Sequence, residues 1–129
     1  MRCRWMIILV VPVVLIGTPV LAAQIANFDH LQFSPAQQEG RPILVDIRAS
    51  WCPTCAAQEP IIERLTALPA YKDLLILRVD FDSQKDVVRI LSARSQSTLI
   101  AFRGTRETGR SVGDTDPDSI AKLLHSTAG

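Results

Sequence analysis

Two cysteines separated by two residues are the chain's clearest candidates for chemistry. Cys52 and Cys55 enclose Pro53 and Thr54, and the only other cysteine, Cys3, lies near the N-terminus. A disulfide between residues so close in sequence closes a loop that is too short to stabilise a fold much through chain entropy. The spacing therefore favours redox chemistry or metal binding over a structural crosslink.

The sequence around the two cysteines predicts different positions for them on a helix. A mostly apolar run, Ile43–Ile47, precedes them, and apolar residues recur at helical spacing as far as Leu68. Cys52 then lies at the start of the helix, where unpaired backbone N–H groups and the helix dipole favour a thiolate, so we predict that it is the nucleophile. Cys55 lies one turn further on, is expected to be less exposed, and is predicted to resolve the mixed disulfide.

The elements that must position this pair alternate along the chain. Pro35 after Ser34 predicts the start of a short helix that ends at Gly40. The other predicted helices cover about 52–68, 84–93 and the segment after Asp116, and the predicted strands cover 43–47, 74–81, 98–102 and 107–112. The resulting order, αβαβαββα, predicts an α/β fold with a mixed central sheet and helices on both faces.

The first 22 residues have the parts of a secretory signal peptide. Two arginines lie among the first four residues, an apolar stretch runs from Trp5 to Ile16, and small residues follow up to Ala22. Cleavage after Ala22 would leave one domain, residues 23–129. The alternative is an uncleaved membrane anchor, because no charge appears between Trp5 and Phe28. We favour cleavage because Gly17–Pro19 would break the helix where a span would continue.

Length and charge limit the classes of function. The chain has 129 residues, a formal net charge of +1 and 47% hydrophobic residues, which suits one compact domain. Its basic residues are scattered along the sequence and form no stripe. A nucleic-acid partner is therefore not expected.

The segment Leu44–Cys55 resembles the active-site strand and turn of the thioredoxin family, and the resemblance extends from about Leu31 to Leu124. Pro60 matches the proline in the family's active-site helix. The Trp-Cys-Pro-Thr-Cys sequence is similar to that of the periplasmic reductases of cytochrome c maturation, without the insertion that those proteins carry after this helix. The resemblance implies a thioredoxin-like fold over residues 23–129, a redox-active disulfide and no cofactor.

The resemblance also implies roles for residues around the cysteines. Asp46 matches a carboxylate that is buried behind the disulfide and assists proton transfer at the second cysteine, so it is our general-base candidate, with a solvated strand-end aspartate as the alternative. Arg78 matches a lysine beside that carboxylate, unless it is a surface arginine on a sheet edge. Trp51, Pro53 and Thr54 are predicted to contact substrate, with core packing as the alternative for Trp51.

Two positions depart from the family pattern. Arg48 replaces an aromatic residue and adds a positive charge that would favour the thiolate. Gln96, Ser97 and Thr98 are predicted to line the substrate groove, but Ser97 stands where the family has a cis-proline. A cis bond before a non-proline residue costs about 2.5–4 kcal/mol, so we predict a trans Gln96–Ser97 bond.

These observations favour a monomeric periplasmic dithiol that exchanges with disulfides of exported proteins and receives electrons from a membrane-embedded donor. Inner-membrane anchorage is the alternative location. We favour a reductase over an oxidant because Pro53-Thr54 supplies no imidazole to stabilise the reduced form strongly.

Two other classes of function remain open. One is a soft-metal-binding module or metallochaperone that uses the Cys52 and Cys55 thiolates. His30 and His125 lie near the two ends of the mature chain and the sequence offers no evident third ligand, so no metal site is predicted. The other is a redox-silent interaction domain, which the intact cysteine pair argues against.

Overall fold

The computed structural model describes residues 16–17 and 22–128. Strands and helices alternate over most of this part of the chain, and a short 3₁₀ turn, Pro69–Tyr71, follows the longest helix. In chain order the elements are β1 (Gln24–Asn27), α1 (His30–Gln38), β2 (Pro42–Arg48), α2 (Pro53–Thr66), β3 (Leu75–Asp80), α3 (Lys85–Ile90), β4 (Thr98–Arg103), β5 (Arg106–Val112) and α4 (Pro117–Ser126).

The described strands form one mixed sheet in the order β1-β3-β2-β4-β5. β3 is parallel to both of its neighbours, β1 and β2, whereas β4 is antiparallel to β2 and to β5. This arrangement confirms the predicted fold class. It also makes β2, which leads into the cysteine pair, the central strand.

β2 is covered on both faces, which explains its almost continuous apolar sequence. Ile43, Val45 and Ile47 are fully buried in a cluster with residues of α1 and α3. Leu44 points the other way and packs with residues of α2 and α4. Because side chains alternate along a strand, Asp46 also faces the layer that contains α2.

The first strand was not predicted from the sequence. β1 has four residues, none of them fully buried, and it lies at the edge of the sheet beside β3. Its backbone pairs with β3 from the Gln24–Leu75 pair to the Asn27–Arg78 pair. The strand therefore depends on a neighbour that is distant in sequence, and its own residues carry no alternating apolar pattern.

The start of α1 was predicted wrongly. The helix begins at His30 and not after Ser34, because Asp29 caps it and accepts the Leu31 N–H at 2.9 Å. Pro35 consequently lies inside the helix, where it removes one helical hydrogen bond. The burial of Phe33 and Ala36 compensates for that loss.

Two other helices were predicted to extend too far towards the C-terminus. α2 ends at Thr66, so Leu68 lies outside it and is 50% exposed. α3 ends at Ile90, shortly before Ser92, whose φ of 55° is incompatible with a continuing right-handed helix.

Residues 16–17 and 22–128 include no helix that is long and apolar enough to span a membrane. Apart from Ile16, Gly17 and Ala22, the segment predicted as a signal peptide or anchor lies outside the described residues.

Candidate active site

Cys52 and Cys55 form a disulfide at the N-terminus of α2. Cys52 is the N-cap residue in an extended conformation, and Pro53 begins the helix. The Cys52 Sγ accepts the backbone N–H of Cys55 at 3.1 Å. This N–H is one of the unpaired donors of the first helical turn, so the same contact would stabilise a thiolate at Cys52 after reduction.

The predicted difference in exposure between the two cysteines is not present in this oxidised form. Both residues are 4% exposed, and both pack with Ala49 and against Phe81. Cys52 is buried because the turn that contains it folds back, with the Cys52 N–H bonded to the Ala49 carbonyl at 3.2 Å. The assignment of Cys52 as nucleophile therefore rests on its position at the helix N-terminus.

Asp46 is buried on the face of β2 that α2 covers, and it is 6% exposed. Burial raises the pKa of this carboxyl, and the positive charges of Arg48 and Arg78 offset only part of that increase. This burial does not agree with the alternative of a solvated strand-end aspartate, and the role of Asp46 in proton transfer stays a prediction. A carboxyl group with a raised pKa is suited to exchanging protons near neutral pH.

Glu59 is a site residue that the sequence interpretation missed. It lies on α2, four residues after Cys55, and accepts hydrogen bonds from Arg48 at 3.1 and 3.2 Å and from Arg78 at 2.9 Å. These hydrogen bonds lower the pKa of Glu59, so its carboxylate stays charged. The signal in the sequence was a glutamate one helical turn after the second cysteine.

The two arginines are therefore committed to a common carboxylate. Arg78 lies in register with Asp46 on an interior strand, so the alternative of a surface arginine on a sheet edge is wrong. Arg48 forms a salt bridge with Glu59, and this weakens the electrostatic stabilisation that Arg48 could give to a thiolate. The Arg48 and Arg78 side chains are 25% and 28% exposed, so solvent also screens them.

Trp51 is 57% exposed beside the disulfide, which does not agree with the alternative of core packing. Its indole N–H donates to Asp82 at 2.7 Å and holds the ring in place. Pro53 is exposed and Thr54 is half-buried. All three residues lie within two positions of Cys52 in the sequence, and their contact with substrate stays a prediction.

Gln96, Ser97 and Thr98 lie in and just after the loop that leads into β4. The described residues contain no cis peptide bond, so the predicted trans Gln96–Ser97 bond is confirmed. Ser97 instead adopts a left-handed conformation with φ of 56°, which is uncommon for a residue with a side chain. Thr98 pairs with Ile47 of β2, so the loop lies beside the strand end that leads to Cys52.

Gln58 is a second residue that the sequence interpretation missed. It is 1% exposed on α2, and its side-chain N–H groups donate to the Asp114 carbonyl at 2.8 Å and to the Ser97 carbonyl at 3.4 Å. The Gly113 N–H donates to the same Ser97 carbonyl at 2.9 Å. Gln58 thus ties the helix that contains Cys55 to the loop that contains Ser97.

Residues 16–17 and 22–128 hold no cluster of three or more histidine, cysteine, aspartate or glutamate side chains that could bind a metal ion.

Comparisons with known proteins point to one family. The thioredoxin family model matches residues 21–126. Thioredoxin of Chlamydia trachomatis is 41% identical over 83 residues, which are 64% of this chain and 78% of the relative. The crystal structure of Trxlp from Edwardsiella tarda has a TM-score of 0.76 and 39% identity, with 78% of this chain and 98% of that chain covered. Malassezia sympodialis thioredoxin, at 20% identity, a TM-score of 0.71 and coverage of 88% and 99%, shows the fold.

The thioredoxin match and the Cys52–Cys55 disulfide at the N-terminus of α2 together identify a thiol–disulfide oxidoreductase, and they disfavour the metal-binding alternative for these cysteines. The chain belongs to the thioredoxin family.

Proposed function

We propose that the protein is an exported reductase that reduces the disulfides of other exported proteins to thiols. The observation that carries this proposal is the Cys52-Pro53-Thr54-Cys55 pair at the start of α2. The helix N-terminus activates Cys52, but the two intervening residues add no imidazole or positive charge that would stabilise the reduced form further. A dithiol of this kind gives up its electrons readily.

The exchange proceeds in two steps. The Cys52 thiolate attacks one sulfur of the substrate disulfide, a Cys52–substrate disulfide forms, and the other substrate sulfur leaves as a thiolate that takes up a proton. Cys55 then loses its proton, with Asp46 as the proposed base, and its thiolate attacks the Cys52 sulfur of the mixed disulfide. The Cys52–Cys55 disulfide forms, the Cys52–substrate bond breaks, and the second substrate sulfur leaves as a thiolate that takes up a proton. The protein dithiol loses two electrons, which a membrane-embedded dithiol donor would restore.

A redox titration tests the direction of the reaction. The purified protein is equilibrated in glutathione buffers, and thiol alkylation reports the fraction of Cys52–Cys55 disulfide. We expect a potential near that of thioredoxin, about −270 mV, and far from that of a strong periplasmic oxidant, about −120 mV. A value at the oxidising end would reverse the proposed direction.

We also propose export to the periplasm with cleavage after Ala22. The hydrogen bonding of the domain reaches as far as Ala23, whose N–H donates to the Thr66 carbonyl at 3.4 Å. A cut immediately before Ala23 would therefore leave the observed fold intact. Expression in a Gram-negative host, followed by fractionation and intact-mass measurement, tests this. A full-length mass in the membrane fraction would instead support the anchor, and gel filtration of the product would test the predicted monomer.

A further inference from the structure

The loop before β4 uses its carbonyl oxygens within the chain. The Thr98 hydroxyl donates to the Ser95 carbonyl at 2.7 Å, and the Ser97 hydroxyl donates to the Gln96 carbonyl at 2.6 Å. The Ser97 carbonyl accepts a backbone N–H at 2.9 Å and a side-chain amide at 3.4 Å. Three consecutive carbonyls are thus already bonded before any substrate arrives.

This loop is tied to both elements that flank the disulfide. Thr98, directly after the loop, pairs with the end of β2 that leads into the active-site turn. From the other side, Gln58 reaches the loop from the helix that contains Cys55. A polypeptide whose disulfide is attacked by Cys52 can therefore bring its neighbouring main chain to residues 95–97.

The hydrogen bond from the Ser97 hydroxyl to the Gln96 carbonyl requires a side-chain hydroxyl at this position. A proline has no hydroxyl and could not donate to the preceding carbonyl. Ser97 is 6% exposed and its φ is 56°, so both the side chain and the backbone are held in this arrangement. An extended peptide that joins a protein edge donates main-chain N–H groups to such carbonyls. Since a carbonyl has two lone pairs, the serine weakens this pairing without abolishing it.

We propose that Ser97 is a specificity-determining residue that disfavours disulfides in extended, flexible polypeptides. The hydroxyl occupies one lone pair of the Gln96 carbonyl, so the protein favours disulfides that partners present without main-chain pairing at this loop. This inference rests on the proposed thiol–disulfide exchange at Cys52 and names its substrate class.

The test compares three disulfides with dithiothreitol as the electron donor. They are bis(2-hydroxyethyl) disulfide, a flexible peptide with one internal disulfide, and the same peptide N-methylated at the backbone amides beside its cysteines. The wild-type protein is compared with S97A and S97G, and thermal unfolding verifies that each is folded. Both variants lack the hydroxyl, but only glycine relieves the left-handed backbone, so the pair separates the two effects.

We expect the wild-type protein to prefer the unmethylated peptide only slightly in kcat/KM, because the serine weakens the pairing without abolishing it. In both variants the ratio of kcat/KM for the unmethylated over the methylated peptide should rise about 3- to 10-fold, as expected for one neutral hydrogen bond. An unchanged ratio in both variants, or a change in S97G alone, would refute the role of the hydroxyl. A folded wild-type protein that reduces none of the three disulfides would instead refute the proposed function, and this inference with it.

Discussion

Replacement of Asp46 by Asn separates the chemical role of the buried carboxylate from its cost to the fold. Burial raises the pKa of Asp46 above its ordinary value of 3.8. The native state therefore binds this proton more tightly than the unfolded state does. The penalty for a buried charge is absent below about pH 3.8, where the carboxyl is protonated in both states, and it grows as the pH rises towards the native pKa.

The stability of Asp46→Asn relative to the wild-type protein should accordingly increase over that pH range and then level off. The gain amounts to about 1.4 kcal/mol for each unit by which the native pKa is raised. Urea denaturation at a series of pH values measures it. Asp80→Asn is the matched control, because backbone N–H groups of the following turn lower the pKa of Asp80, so this variant should lose relative stability as the pH rises.

The rate of exchange should respond in the opposite direction. A thiol with the ordinary pKa of about 8.5 is about 3% thiolate at neutral pH, so a base that deprotonates such a thiol accelerates its attack about 30-fold. Stopped-flow measurement of mixed-disulfide resolution should show Asp46→Asn slower by about 10- to 30-fold at neutral pH, with the deficit vanishing above about pH 9. Equal rates at neutral pH, or a deficit that persists undiminished in alkali, would remove Asp46 from proton transfer.

Cys52→Ser should abolish disulfide reduction, whereas Cys55→Ser should accumulate mixed disulfides, because attack needs the first thiol and release needs the second. Non-reducing gels and mass spectrometry distinguish these outcomes, and faster alkylation of Cys55 than of Cys52 in the reduced protein would contradict the assignment. Glu59→Gln should shift the pH–rate profile for resolution to lower pH, because the Glu59 charge raises the pKa of Asp46; an unshifted profile would count against this coupling. Leu44→Ala should reduce the free energy of unfolding by about 2–5 kcal/mol in urea titrations, because Leu44 is fully buried in the central strand; a loss below about 1 kcal/mol would show that the core collapses around it.

The parts of the fold that could be predicted are those that depend on local sequence patterns. The apolar run around Val45 identified the central strand, because burial on both faces demands apolar residues at successive positions. The position of Cys52 at a helix N-terminus followed from the strand before it and the periodic residues after it. In each case neighbouring residues determine the environment.

The parts that could not be predicted depend on partners distant in sequence. β1 forms because the backbone of β3 provides it with hydrogen-bond partners, and its four residues alone carry no strand pattern. At Pro35 a local rule gave the wrong helix start, because the burial of Phe33 and Ala36 outweighed the loss of one hydrogen bond. The left-handed backbone of Ser97 is likewise held by donors from α2 and from the residue after β5.

The missed site residues show how one helix connects the separate parts of the site. Cys55, Gln58 and Glu59 are three and four residues apart, so they lie on neighbouring positions of one face of α2. Gln58 fixes the loop that contains Ser97, and Glu59 binds the arginines that flank Asp46. The orientation of this helix therefore affects both the loop that contains Ser97 and the surroundings of the buried carboxylate. If Ser97 selects substrates and Asp46 transfers protons as proposed, both roles depend on the helix that contains Cys55, the proposed resolving cysteine.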